Sequence, residues 1–150
     1  MSERQDWDEY FIDIAVMVSS RSTCLRKQYG ALIVKNKQIL STGYNGTPAK
    51  ITHCETCFRM DNNIPHGTMY ELCRSVHAEM NAIVLAAKHG ISVDGASIYV
   101  TGTPCLMCAR LIINSGLKEV VALSNELDDE GYHLASVELL KEAGVKFRRI

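Results

Sequence analysis

Residues 77–89, HAEMNAIVLAAKH, constrain this chain more than any other stretch, because they read as a helix that is apolar on nearly every side. Met80, Ala82, Ile83, Val84, Leu85, Ala86 and Ala87 fill it, and Gly90 follows as a stop. A helix that is hydrophobic all round is buried, and the flanking segments point to a sheet as what buries it. Residues 30–35 (GALIVK) and 38–43 (QILSTG) are strand-like runs joined by Asn36-Lys37, which predicts a hairpin. Residues 97–101 (SIYVT), 119–123 (EVVAL) and 145–148 (VKFR) read as three more strands. A helix opens at Pro104 and runs to about 114 before Gly116, and another runs from about 132 to 143 before Gly144. Near the start, Trp7, Phe11, Ile14, Met17 and Val18 recur at helical spacing over residues 6–20. The order α-β-β-α-β-α-β-α-β, with helices and strands alternating, implies parallel pairing and helices on both faces. The expected architecture is a three-layer α/β/α sandwich on a five-stranded mixed sheet.

No repeat, low-complexity tract or linker divides the 150 residues, so residues 1–150 are expected to form one domain. One stretch resists this reading. Residues 47–76 have no clean period, yet hold Cys54, Cys57 and Cys73 with His53 and His66. So long an aperiodic segment inside a compact domain is usually functional or held by something other than a core. The net charge of -1 gives no bulk support to a nucleic-acid partner. No apolar run approaches membrane-spanning length, and MSERQDWDEY lacks an apolar signal region. The expectation is a cytoplasmic protein with no membrane and no nucleic-acid partner. In a reducing compartment its six cysteines more often bind metal or do chemistry than pair as disulfides.

The chemistry concentrates in His77-Ala78-Glu79 and Pro104-Cys105-Leu106-Met107-Cys108, each where the chain hands over to a helix. Cys105 and Cys108 are spaced so that both sulfurs share one helix face. A helix N-terminus favours the thiolate. Two thiolates and one neutral imidazole suit Zn²⁺, and three protein ligands leave a fourth position for water, as a catalytic site requires. Glu79 lies two residues from His77, and at the very start of a helix both can reach one pocket. There its carboxylate can take a proton from water and pass it on. A Cys-x-x-Cys pair alone fits a redox couple or half of a structural zinc site equally well. The His-x-Glu partner favours catalysis.

The pattern H-x-E…P-C-x-x-C resembles that of the zinc nucleobase deaminases, in which the glutamate is not a ligand. From residue 21 to about 144 the chain is similar to the cytidine deaminase superfamily, and within it to the deoxycytidylate (dCMP) deaminases, including the bacterial late-competence form. Gly43-Tyr44-Asn45-Gly46-Thr47-Pro48, the cysteine-bearing insertion and the ending Glu142-Ala143-Gly144-Val145 carry the narrower likeness. The resemblance implies hydrolysis of dCMP to dUMP and ammonia, feeding dTMP synthesis. It implies that His77, Cys105 and Cys108 hold Zn²⁺. It also implies that Glu79 moves protons to ring N3 and to the leaving amine, that backbone around Ala78 meets the pyrimidine edge, and that Asn45 contacts the sugar. Asn45 by itself reads as a turn residue. Regulation comes by likeness too: activation by dCTP with Mg²⁺, inhibition by dTTP, an effector loop at Gly43, Tyr44, Asn45 and Gly46, and a homohexamer.

A nucleotide substrate needs a phosphate site, for which Ser22, Arg26, Lys27 and Arg74 are candidates, with solvated surface charge as the alternative. Cys24, Cys54, Cys57 and Cys73, with His53 or His66 as substitutes, could close a structural zinc site that orders residues 47–76. Free thiols are the plainer alternative. Some dCMP deaminases are similar in this, with a second zinc tied to the loop, and Cys24 and Cys54 match those positions best. Three other functions stay open: a tRNA adenosine deaminase, a free cytidine or cytosine deaminase, and a non-catalytic zinc-binding interaction module.

Overall fold

The computed structural model describes residues 3–124 and 131–150, and Met1, Ser2 and residues 125–130 lie outside the described residues. The first helix, α1 (Trp7–Ser19), starts where the Asp6 carboxylate accepts from the Asp8 N–H at 2.9 Å. Strands β1 (Gly30–Lys35) and β2 (Gln38–Tyr44) form the expected hairpin. Asn36 and Lys37 turn it with φ of 51° and 62°, the left-handed pair that matches strand twist. The short helix α2 (Phe58–Asp61) and a 3₁₀ turn at Tyr70–Leu72 lie inside the aperiodic segment. Then follow α3 (Ala78–Lys88), β3 (Ser97–Val100), α4 (Leu106–Asn114), β4 (Glu119–Ala122), α5 (Gly131–Glu142) and β5 (Lys146–Arg149).

The sheet is mixed and five-stranded, as expected, in the order β2-β1-β3-β4-β5. Strand β1 runs antiparallel to both neighbours, while β3, β4 and β5 run parallel. Alternation sorts the strands into two faces. Ala31, Ile33, Ile98, Val100, Val120 and Ala122 pack with Ala82 and Ala86 of α3, Ala109 and Ile112 of α4 and Leu140 of α5. Leu32, Val34, Tyr99 and Val121 pack with Phe11, Ile12 and Ala15 of α1. Among the described residues, α1 alone covers one face and three helices cover the other, a three-layer α/β/α fold.

Two helix readings change in detail. The buried stripe of α1 is Phe11, Ile12 and Ala15, while Met17 is 71% exposed, because the stripe is rotated toward the Ala15 side. Helix α3 buries one stripe and not its whole circumference. Val84 and Leu85 are exposed, because α3 is an outer layer with the sheet on one side only.

The topology places the site. Strands β2 and β3 point the same way, each being antiparallel to β1. The chain leaving β2 toward α3 and the chain leaving β3 into α4 therefore emerge at one sheet edge, the usual ligand edge of α/β sheets. Residues 47–76 form a closed excursion there, pinned at its base by Gly46 N–H to Val76 O at 3.2 Å and Val76 N–H to Gly46 O at 2.8 Å. Gly43 allows β2 and α3 to approach, since a Cβ there would collide with Ala78 O and Ala82 N.

Candidate active site and metal centre

Two helix N-termini converge at this edge. His77 is the N-cap of α3 and Cys105 the N-cap of α4, with Cys108 in the first turn of α4. His77 Nδ1 lies 3.4 Å from Cys105 Sγ and 3.4 Å from Cys108 Sγ. Among the described residues this is the one group of three or more His, Cys, Asp or Glu donors whose ligand atoms all fall within 4.8 Å of one another. A tetrahedral Zn²⁺ with ordinary Zn–S and Zn–N bonds would separate sulfur from nitrogen by about 3.5 Å. The spacing of the three side chains therefore suits that ion.

The electrostatics agree. The Cys105 thiol is pulled down to about 4, chiefly by the hydrogen bond from Cys108, with His77 adding to it against the opposing effect of burial. Cys108 moves up through the same hydrogen bond and its own burial. A divalent cation held by the two sulfurs would favour both as thiolates. At His77 burial disfavours the charged form, yet the Cys105 hydrogen bond and the nearby Glu79 carboxylate outweigh it and raise the imidazole. Glu79 itself is only 8% exposed, and burial is the main cause that raises its carboxyl above the usual range. A buried carboxyl beside the metal set, raised in this way, is placed for proton transfer.

The pocket beside these residues is also lined by Asn45, Ala78, Arg26 and Lys27, all singled out from the sequence. Asn45 is buried, with Oδ1 accepting from the Tyr29 N–H at 2.8 Å and Nδ2 donating to Lys27 O at 2.8 Å. It holds the 27–29 backbone in place, and one amide hydrogen and one lone pair remain for a ligand. Ser22 does not line the pocket; its hydroxyl donates to Asn45 O at 2.7 Å and accepts from the Cys24 N–H at 3.2 Å. Arg74 lines a separate groove with His53, Cys54 and Cys57. Of the expected 43–46 loop, Gly43 and Tyr44 belong to the end of β2, paired with Ala31 and Gly30; Tyr44 is exposed and its carbonyl accepts from Asn81 Nδ2 at 2.8 Å.

Cys24, Cys54, Cys57 and Cys73 line one small cavity, and Cys24 and Cys73 border the catalytic pocket as well. Their sulfurs do not converge to the 4.8 Å spacing of the first group. The segment that carries three of them also supplies walls that sequence reading missed. Tyr70 sets its ring edge-on to His77, and Arg59 stacks its guanidinium 4.9 Å from the Tyr70 ring centre. His66 faces the pocket, and across from this segment α5 contributes His133. No period or motif marks Arg59 or Tyr70, and His133 read only as one residue of an ordinary helix.

The chain also resembles known proteins. The family model for the "Cytidine and deoxycytidylate deaminase zinc-binding region" matches residues 5–124. ComE operon protein 2 of Bacillus subtilis is 38% identical over 150 residues, covering 99% of this chain and 73% of its own length. Deoxycytidylate deaminase of Mycobacterium phage D29 is 42% identical over 123 residues, covering 79% of this chain and 94% of its own. A dCMP deaminase from the cyanophage S-TIM5, solved in complex with dCMP and dUMP, superposes with a TM-score of 0.79 at 30% identity and covers 99% of both chains.

Proposed function

Since the chain belongs to the cytidine and deoxycytidylate deaminase zinc-binding family and is a hydrolytic deaminase, we propose that it converts dCMP to dUMP and ammonia, supplying the precursor of dTMP. The observation that carries the choice of a nucleotide is the cationic wall of the pocket. Arg26, Lys27 and Arg59 all border the space in front of His77, Cys105 and Glu79. A free nucleoside has no charge to meet them, whereas a 5′-phosphate does. Ultraviolet assay of dCMP against cytidine tests the choice.

His77, Cys105 and Cys108 would hold Zn²⁺, which when bound supplies the Lewis acidity that activates water at neutral pH. The remaining work belongs to the chain's own groups. Glu79 takes a proton from the attacking water and delivers it to ring N3, so that negative charge does not build up on the pyrimidine as C4 is attacked. It then takes the remaining proton from the hydroxyl added at C4 and carries it to the amine, the C4–N bond breaks, and ammonia leaves with a carbonyl at C4. Burial of Glu79 shields both transfers from bulk water and raises its carboxyl. The backbone at Ala78 meets the pyrimidine edge, and the spare amide hydrogen and lone pair of Asn45 meet the sugar.

The reading takes residues 1–150 as one catalytic domain working in the cytoplasm as a homohexamer. dCTP with Mg²⁺ activates it and dTTP inhibits it through the loop of Gly43, Tyr44, Asn45 and Gly46. A structural Zn²⁺ on Cys24, Cys54, Cys57 and Cys73 would hold the 47–76 excursion against the pocket. The cavity that all four line supports this.

A further inference from the structure

Arg59 is 6% exposed, and among the described residues no carboxylate pairs with it. A buried cation is costly unless other groups answer its charge. The groups that do so belong to one short stretch, residues 65–70. Nη2 donates to Thr68 O at 2.8 Å and to Pro65 O at 3.3 Å, and the guanidinium lies 4.9 Å from the centre of the Tyr70 ring. A planar guanidinium can do both at once, because its edge donates while its face stacks. At the other end of the residue, the Arg59 carbonyl accepts from the Ile64 N–H at 2.8 Å. Arg59 is thus a strut through the excursion, lining the outer groove on one side and the catalytic pocket on the other.

A second observation shows what the strut holds. Met69 has φ 50° and ψ 45°, the left-handed conformation that residues other than glycine rarely adopt. Such a residue persists only when its surroundings over-determine it. Its own side chain is exposed and cannot do so. The constraint comes from its neighbours. Thr68, before it, gives its carbonyl to Arg59, and Tyr70, after it, lays its ring against the same guanidinium. Tyr70 in turn stands edge-on to His77, with planes at 87°. The backbone of His77 is fixed by α3, where its carbonyl accepts from the Asn81 N–H at 3.0 Å. That bond leaves the imidazole free to turn, and the Tyr70 ring packs directly against it.

We infer that Arg59 is a positioning residue of the metal centre: by clamping the left-handed turn at Met69 it sets Tyr70 against His77, and so keeps Nδ1 aimed at the ion shared with Cys105 and Cys108. The inference rests on that metal set and not on the choice of a nucleotide. It also gives the buried charge a reason. Lysine could supply the charge, but not the plane that donates to two carbonyls and stacks on a ring.

The test is the Zn²⁺ affinity of the full chain without nucleotide, in competition with a chromogenic chelator, together with the spectrum of the Co²⁺-loaded protein. A His77→Ala protein serves as the blank for metal held elsewhere. Arg59→Met keeps the stem and the buried volume, and replacing a buried ion by an apolar group is commonly tolerated. It should weaken Zn²⁺ by about 10-fold, the low end for a group that orients a metal ligand. Arg59→Lys should weaken it as much, while Tyr70→Phe, which keeps the ring, should stay within about twofold of wild type. Because Arg59 acts through Tyr70, Arg59→Met combined with Tyr70→Leu should be no weaker than Tyr70→Leu alone. In the Co²⁺ protein, Arg59→Met should shift the d–d bands, as a turned imidazole requires, and keep the thiolate charge-transfer bands of Cys105 and Cys108. Full affinity in either Arg59 variant, or losses that multiply in the double variant, would overturn the positioning role. Loss of the thiolate bands along with the affinity would show a general loosening of the site and overturn it too. A wild-type protein that binds no more Zn²⁺ than the blank would overturn the metal centre itself, and the positioning with it.

Discussion

The Tyr70 ring stands edge-on against His77, with ring centroids 4.9 Å apart and planes at 87°. Tyr70 comes from the 3₁₀ turn of the excursion and His77 from the cap of α3, so a loop wall fixes the orientation of the imidazole whose Nδ1 faces two sulfurs. Groups that orient a metal ligand commonly contribute 10- to 100-fold in metal affinity. Tyr70→Leu should therefore lower zinc affinity by about 10-fold in competition with a chromogenic chelator. Unchanged affinity would mean that His77 is held by α3 alone.

Glu79 is predicted to serve the chemistry and not the metal. Glu79→Gln keeps size and polarity but cannot carry a proton. Turnover should fall by at least about 10²-fold, the low end for a lost acid–base group. Zinc content by elemental analysis should match wild type. A variant that loses zinc would make Glu79 a ligand, and a variant that keeps full turnover would remove it from the mechanism.

The cysteine cavity gives a countable outcome. With Cys24, Cys54, Cys57 and Cys73 around one space, the purified protein should carry two zinc atoms per chain, and Cys54→Ser should reduce this to one. One zinc in the wild-type protein would leave these four as free thiols.

What could be read in advance follows from which physical signals are periodic. The strands are legible as short runs rich in β-branched and aromatic residues, such as Ile98-Tyr99-Val100, and the hairpin because Asn36-Lys37 separates two strand-like runs. The metal set was visible because ligand chemistry demands fixed spacing at helix starts, as in Cys105 and Cys108. Residues 47–76 were legible only as a segment needing support. Arg59, Tyr70 and His133 reach the pocket through irregular backbone or from the far helix α5, and no local pattern encodes that meeting. The stripe on α1 was misread by a rotation because Met17 has the right spacing and still faces water. Small Ala15, which let α1 sit close to the sheet, carries too little hydrophobicity to mark a face.

Arg148, on the last strand, grips Asp8 on the first helix: Nη1 to Oδ2 is 2.7 Å and Nη2 to Oδ1 is 3.2 Å, and the Tyr99 hydroxyl donates to Oδ1 at 2.8 Å. The Arg148 hydrogen bonds hold the Asp8 carboxyl below its usual 3.8, against the opposing effect of burial. A carboxyl with a depressed folded value adds stability that is complete above the unfolded value and fades as pH falls through the folded one. Asp8→Asn should cost about 1–2 kcal/mol in urea unfolding at pH 7. The gap to wild type should narrow as the pH falls below 3.8, where the wild-type carboxyl takes its proton. A gap that is equal at both pH values would mean that the carboxylate charge contributes nothing there.

The most direct test of the account is to follow the loss of cytosine absorbance when the zinc-loaded protein is mixed with dCMP, and separately with cytidine, in the presence and absence of dCTP with Mg²⁺. The account predicts fast turnover of dCMP and little of cytidine. Comparable rates on both would contradict the phosphate-reading pocket, and no turnover of dCMP under either condition would contradict the proposed reaction itself.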